Sequence, residues 1–172
     1  MKKDFVMPIL VLSLICLFVS GVLAIGNAVT QPVIREAAAQ RAEAARREVM
    51  PHAEDFVLIE AEGLPKTITE VFGTTNNVGF VFMISVTGYG GDIKIICAID
   101  PDGIIIKTVT LAQTETAGIA TPVFDQEIQY RGKDRYLHGI DAVSGATITF
   151  NAYKNGIRDA FEAFEIVKGV RF

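Results

Sequence analysis

Ahead of the last amphipathic segment of the chain stands Gly139-Ile140-Asp141-Ala142-Val143-Ser144-Gly145-Ala146-Thr147-Ile148-Thr149, a run of small side chains and hydroxyls. From Thr149 onward, Ala152, Tyr153, Gly156, Ile157, Ala160, Phe161 and Phe164 recur at three- and four-residue steps, with Lys154, Arg158, Asp159 and Glu162 on the other face. That period predicts an amphipathic helix, so the small-residue run lies at a helix start. The first N–H groups of a helix lack intrahelical partners, and the helix dipole favours an anion there. Gly145 and Ala146 leave room for a bulky group to approach the backbone. An anionic phosphate fits all three features. So does plain capping, in which Ser144, Thr147 or Thr149 satisfies the free N–H groups. Spacing alone leaves both readings open.

Other chemistries find little support. His52 and His138 are far apart and lack metal-ligand spacing, so each reads as a surface or structural residue. Cys16 lies in an apolar run and Cys97 in a strand-like stretch; no Cys-x-x-Cys or Cys/His cluster offers a zinc or iron–sulfur site. No acid/base dyad or nucleophile–base arrangement is visible, so these residues give no sign of substrate turnover by the chain. A net charge of −4, a pI near 5.2 and the lack of a Lys/Arg stripe argue against nucleic acid as a partner. Gly88-Tyr89-Gly90-Gly91 has a phosphate-loop look, but such a loop must lead into a helix and here a strand follows. It reads as a hairpin turn, with Gly90 and Gly91 supplying backbone freedom.

The elements that must position the helix start are strands. Val78 to Thr87 and Ile93 to Ile99 are rich in β-branched residues, and Ile104 to Leu111 follows the turn Asp100-Pro101-Asp102-Gly103. Residues 79–111 are therefore expected to form an antiparallel meander. Phe56 to Ile59 and Ile68 to Phe72 are short apolar segments of open type. Strands followed by a helix laid on one sheet face predict an α+β domain.

The chain has 172 residues and a mean hydropathy of +0.36, with the apolar excess concentrated in the first thirty residues. Phe5 to Val29 carries no charge, long enough to span a bilayer with some tilt. It exceeds a signal-peptide core, so Val22-Leu23-Ala24 is not taken as a cleavage site, and Leu14-Ile15 before Cys16 does not suit a lipoprotein signal. Lys2 and Lys3 favour a cytoplasmic N-terminus, whereas Arg35, Arg41, Arg46 and Arg47 oppose it. Pro32 to Met50 reads as a polar juxtamembrane helix opened by Pro32 and ended by Pro51. The expected organisation is a tail and transmembrane anchor over 1–30, a helical linker over 31–51 and a globular domain over 52–172.

Asp141, two spacers and Ser144-Gly145-Ala146-Thr147 resemble the flavinylation signature of the FMN-binding domain family. The resemblance implies FMN held covalently as a phosphoester on Thr147, with Asp141, Ser144, Gly145 and Ala146 as recognition residues and a flavin transferase donating FMN from FAD. Glu115-Thr116-Ala117-Gly118-Ile119-Ala120 is similar to the family's Glu-Thr-Pro-Gly-Leu-Gly loop, which lies against the flavin, with Ala117 and Ala120 as departures. It places Glu115, Thr116, Gly118 and Ile119 at the flavin, with Glu115 and Thr116 able to hydrogen-bond it and shift its potential. Gly88 to Ile93 with the Asp102-Gly103 turn resembles the family's preceding hairpin. One span, a short linker and one such domain look like the G-subunit family of Rnf-type ion-pumping ferredoxin:NAD⁺ oxidoreductases. The related C-subunit family of sodium-pumping NADH:quinone oxidoreductases is usually longer. The resemblance implies multi-span flavin and iron–sulfur subunits and membrane lipid as partners, and a domain outside the cytoplasmic membrane. The other expectations weighed are a stand-alone exported flavoprotein and a flavin-free interaction module with a capped helix.

Overall fold

The computed structural model describes residues 2–125 and 127–170. Contacts divide the chain into two compact units, Met1–Arg41 and Ala42–Phe172.

The first unit is helical. Helix α1 (Lys2–Val49) runs for 48 residues. Its large apolar side chains between Val6 and Val29 are exposed. Among the described residues it is one helix long and apolar enough, by length and composition, to cross a membrane. Pro32, expected to open a second helix, lies inside α1 instead, as does Pro8. Proline cannot donate to the carbonyl four residues back, but its fixed φ is helical, so one missing bond at Ala28 need not end the helix. The Thr30 hydroxyl donates to the Gly26 carbonyl (2.9 Å) one turn earlier.

The second unit is an antiparallel sheet with helices. Strands β1 (Phe56–Leu58), β2 (Ile68–Thr74), β3 (Phe80–Thr87), β4 (Asp92–Ile99) and β5 (Ile105–Ala112) lie side by side in chain order. The two apolar segments of open type are thus the edge strand and its neighbour. The β3–β4 hairpin keeps unbroken register from Phe80↔Ile99 to Thr87↔Asp92. Alternation along these strands sorts the side chains onto two faces. One face carries Phe80, Phe82, Ile84, Val86, Ile93, Ile95, Cys97 and Ile99. Helix α4 (Thr147–Val167) covers it with Phe150, Tyr153, Ile157, Phe161 and Phe164. The other face presents Val81, Ile96 and Ala98, against which Ala45 and Val49 of the last α1 turns and the following Met50 pack. The Arg46 guanidinium lies 4.3 Å from the Phe72 ring centroid, and Lys107 pairs with Glu48 at 2.6 Å. Two short helices, α2 (Thr121–Asp125) and α3 (Glu127–Tyr130), join the sheet to the run that precedes α4.

The Asp100 turn forms as its residue types require. The Asp100 carboxylate accepts the N–H groups of Asp102 (3.0 Å) and Ile104 (2.9 Å), and Gly103 adopts φ +81°. This returns β5 alongside β4 and brings the loop after β5 back toward the turn between β3 and β4.

Candidate functional site

Helix α4 opens without a side-chain cap. Ala146 stands at the N-cap with φ −119° and ψ 34°, and its side chain has nothing to offer the helix. The first intrahelical bond runs from the Phe150 N–H to the Ala146 carbonyl (2.8 Å). The N–H groups of Thr147, Ile148 and Thr149 therefore precede the ladder, and the capping alternative is not the arrangement seen. Gly145 turns the chain into α4 at φ +85°, a conformation that side-chain-bearing residues avoid, and among the described residues beyond its chain neighbours none lies within 4 Å of a Cβ placed there. Ile140, Val143 and Ala146 point into the core, while Ser144 and Thr147 remain exposed.

Thr147, Ala146 and Gly145 share one cleft with Glu115, Thr116 and Ile119. Its volume is about 440 Å³, and Tyr89, Ala120, Ile148 and Thr149 complete the lining. The structure thus brings the two expected segments together across the end of the sheet. Asp141, Ser144 and Gly118 stand outside the lining. Asp141 is exposed, with its N–H donating to the Gln129 side chain (3.3 Å). Gly118 shapes the loop at φ +88°, and its N–H donates to the Thr121 hydroxyl (3.0 Å).

Glu115 is the buried acid of the cleft, 9% exposed. One carboxylate oxygen accepts the Gly90 N–H (2.9 Å) and the other accepts the Thr149 hydroxyl (2.9 Å). Its own N–H donates to the Gln113 side chain (2.6 Å). These contacts change the meaning of the glycine turn. A Cβ on Gly88 would run into the Glu115 carboxylate, and one on Gly90 would come within 2.8 Å of the Thr114 carbonyl oxygen. A Cβ on Gly91 would strike the Thr114 hydroxyl. The turn is a hairpin turn as expected, closed by the Gly88 N–H on the Gly91 carbonyl (2.8 Å). Its glycines also clear space for residues 114–115 to pack against it.

Sequence reading missed Tyr89, Ala120, Ile148 and Thr149 as lining residues. Ala120 and Ile148 adjoin expected positions and were within reach. Tyr89 carried one signal, a large aromatic side chain held out of a turn otherwise made of glycine. It is 76% exposed, and Ile119 and Ile148 are each 57% exposed. Apolar side chains this open, grouped around one concavity, suit a flat hydrophobic ligand. At the same cleft, the uncapped α4 start offers N–H donors and a positive dipole end to an anion. A planar apolar ring system with a phosphate tail fits both halves, so the residues present fit FMN.

Comparison with known proteins agrees with this chemistry. Residues 88–162 match the family model of the FMN-binding domain. The antiparallel sheet with its covering helix is consistent with the α+β architecture of such a domain. Over nearly its whole length the chain is homologous to the G subunit of ion-translocating oxidoreductase complexes. It is 26% identical to the G subunit of the Na(+)-translocating ferredoxin:NAD(+) oxidoreductase complex of Acetobacterium woodii, across 91% of this chain and 89% of that protein. It is 29% identical to the G subunit of the ion-translocating oxidoreductase complex of Stutzerimonas stutzeri, across 88% and 77%. A shorter alignment, 28% identical over 49% of this chain and 52% of the relative, reaches the G subunit of the proton-translocating ferredoxin:NAD(+) oxidoreductase complex of Clostridium ljungdahlii.

Proposed function

We propose that this chain is the membrane-anchored electron-transfer subunit of an Rnf-type complex coupling ferredoxin:NAD⁺ oxidoreduction to ion translocation, with FMN esterified to Thr147. The observation that carries this reading is the α4 start, uncapped and opening with an exposed Thr147 onto an apolar-walled cleft. Similarity to these G subunits along almost the whole chain supports the complex. Their names include both Na⁺ and proton translocation, so the coupling ion is not assigned.

In this reading Thr147 Oγ bonds to the FMN phosphorus as the pyrophosphate of FAD is cleaved by a flavin transferase, and AMP leaves. The N–H groups of Thr147, Ile148 and Thr149 would hold a phosphate, and the absence of a side chain at Gly145 would leave it room beside the backbone. Tyr89, Ile119 and Ile148 would flank the ring system, and Thr116 and Glu115 would be its polar neighbours. Asp141 and Ser144, outside the cleft and exposed, are left for recognition by the transferase. The bound flavin supplies one-electron transfer, and the protein supplies position and environment. A tether keeps the carrier at a fixed high local concentration between encounters. No independent substrate turnover is assigned to the chain.

The anchor is read as a single span of the cytoplasmic membrane, with the N-terminus inside and the flavin domain outside among lipid and the multi-span flavin and iron–sulfur subunits. Two measurements test this. Gentle detergent purification of the native protein is expected to bring those subunits along; isolation alone would favour the stand-alone flavoprotein. Protease added to spheroplasts is expected to cut the domain. A domain cut only after lysis would reverse the orientation.

A further inference from the structure

We propose that Glu115 is a positioning residue of the cleft, the carboxylate that fastens the turn between β3 and β4 to the first turn of α4. The proposal rests on the FMN reading above and extends it to how the site is held open for the phosphate.

Burying a carboxylate is costly unless hydrogen bonds replace its water. Glu115 meets that demand from two directions, Gly90 lying 25 residues away in sequence and Thr149 lying 34 away. The turn gives up side chains at Gly88, Gly90 and Gly91 so that Thr114 and Glu115 can come this close. Each glycine adds conformational entropy to the unfolded chain, so the close approach is kept at some cost to stability.

The arrangement also explains why α4 begins on alanine. A helix amino end is stabilised by a nearby negative charge, ordinarily from a capping side chain that occupies the first N–H groups. Here the charge comes from the side: the Thr149 hydroxyl donates to Glu115, and Ala146 occupies the N-cap. Helix α4 gains a carboxylate at its first turn while the N–H groups of Thr147, Ile148 and Thr149 stay open to a phosphate. The same carboxylate ties down the turn that carries Tyr89, so the two walls of the cleft keep one spacing.

The test uses the full-length chain made with a flavin transferase, and reads flavin fluorescence of the denatured band per mole of protein. Glu115→Ala and Thr149→Val are each expected to lower attachment roughly tenfold, the scale of one hydrogen bond to a charged group. Glu115→Gln keeps an oxygen for Gly90 and an amide donor for Thr149 but not the charge, and Thr149→Ser keeps the hydroxyl, so Glu115→Gln is expected to restore attachment in part and Thr149→Ser in full. The double variant Glu115→Ala with Thr149→Val is expected to be no worse than Glu115→Ala alone, because both remove one tie. In the unloaded chain, Glu115→Ala is expected to speed hydrogen exchange at the Gly90 N–H. Full attachment in Glu115→Ala, or failure of both conservative variants, would overturn the proposal while leaving the flavin reading intact. A dark wild-type band would instead overturn the flavin reading, and this proposal with it.

Discussion

Removing the last turns of α1 tests where the folded unit begins. Val49 is fully buried, Met50 is 2% exposed and Ala45 is 6% exposed, all three against Val81, Ile96 and Ala98. Full burial of a valine or methionine side chain contributes about 2 kcal/mol each, and alanine less than 1. The Arg46 guanidinium over Phe72 adds about 1 kcal/mol. The Lys107–Glu48 pair is about half exposed on both sides and contributes little. Starting the chain at residue 52 rather than 42 therefore removes about 5 kcal/mol, an upper value because an unfolded chain already hides some of this surface. That equals the whole stability of a marginal domain. In urea titrations followed by circular dichroism, fragment 42–172 should unfold cooperatively. Fragment 52–172 should have lost most of its transition or aggregate. Equal midpoints for the two fragments would refute the reasoning.

Gly88→Ala should destabilise fragment 42–172 by about 1–3 kcal/mol, the range for overpacking, because the new Cβ meets the Glu115 carboxylate and lies 2.8 Å from Ile93 Cδ1. Urea denaturation measures the loss, and covalent flavin in the full-length variant should fall with it. Cys97 is buried and desolvation pushes its thiol well above the usual range, so in fragment 42–172, where it is the sole cysteine, thiol reagents should label it only on unfolding. The hydrogen bond from Lys168 holds the Glu165 carboxyl below the ordinary glutamate range. A depressed folded value means that its contribution is present above the unfolded value and lost as pH falls through the folded one. An NMR titration should show that low value, and Lys168→Met should move it back up.

The legible parts of the fold were those with long, clean patterns. The β3–β5 meander follows from runs rich in β-branched residues and the Asp100-Pro101-Asp102-Gly103 turn, and α4 follows from its three- and four-residue apolar period. β1 is only three residues long, and β2 shifts register between Ile68 and Glu70, so alternation had too little length to show itself. α2 and α3 span five and four residues, under two turns, where no helical period can appear. Pro32 misled because a proline suits a helix start and a long apolar helix alike. At the site, the small-residue run before α4 already marked a helix start with room beside its backbone. Glu115 could not be paired with Gly90 and Thr149 beforehand, since sequence spacing carries no record of contacts made across a folded sheet. Resemblance placed Glu115 near the flavin; the structure adds that both its oxygens are engaged by the protein itself.

The central claim is a phosphoester on Thr147, and peptide mass spectrometry of the native membrane protein tests it most directly. Cleavage after Arg135 and Lys154 releases one peptide that contains Ser144, Thr147 and Thr149. This peptide is expected to carry the added mass of one FMN less water, with fragmentation placing it on Thr147 and Thr147→Ala abolishing it. An unmodified peptide from cells that contain the transferase would contradict the claim, as would the same added mass on Ser144 or Thr149.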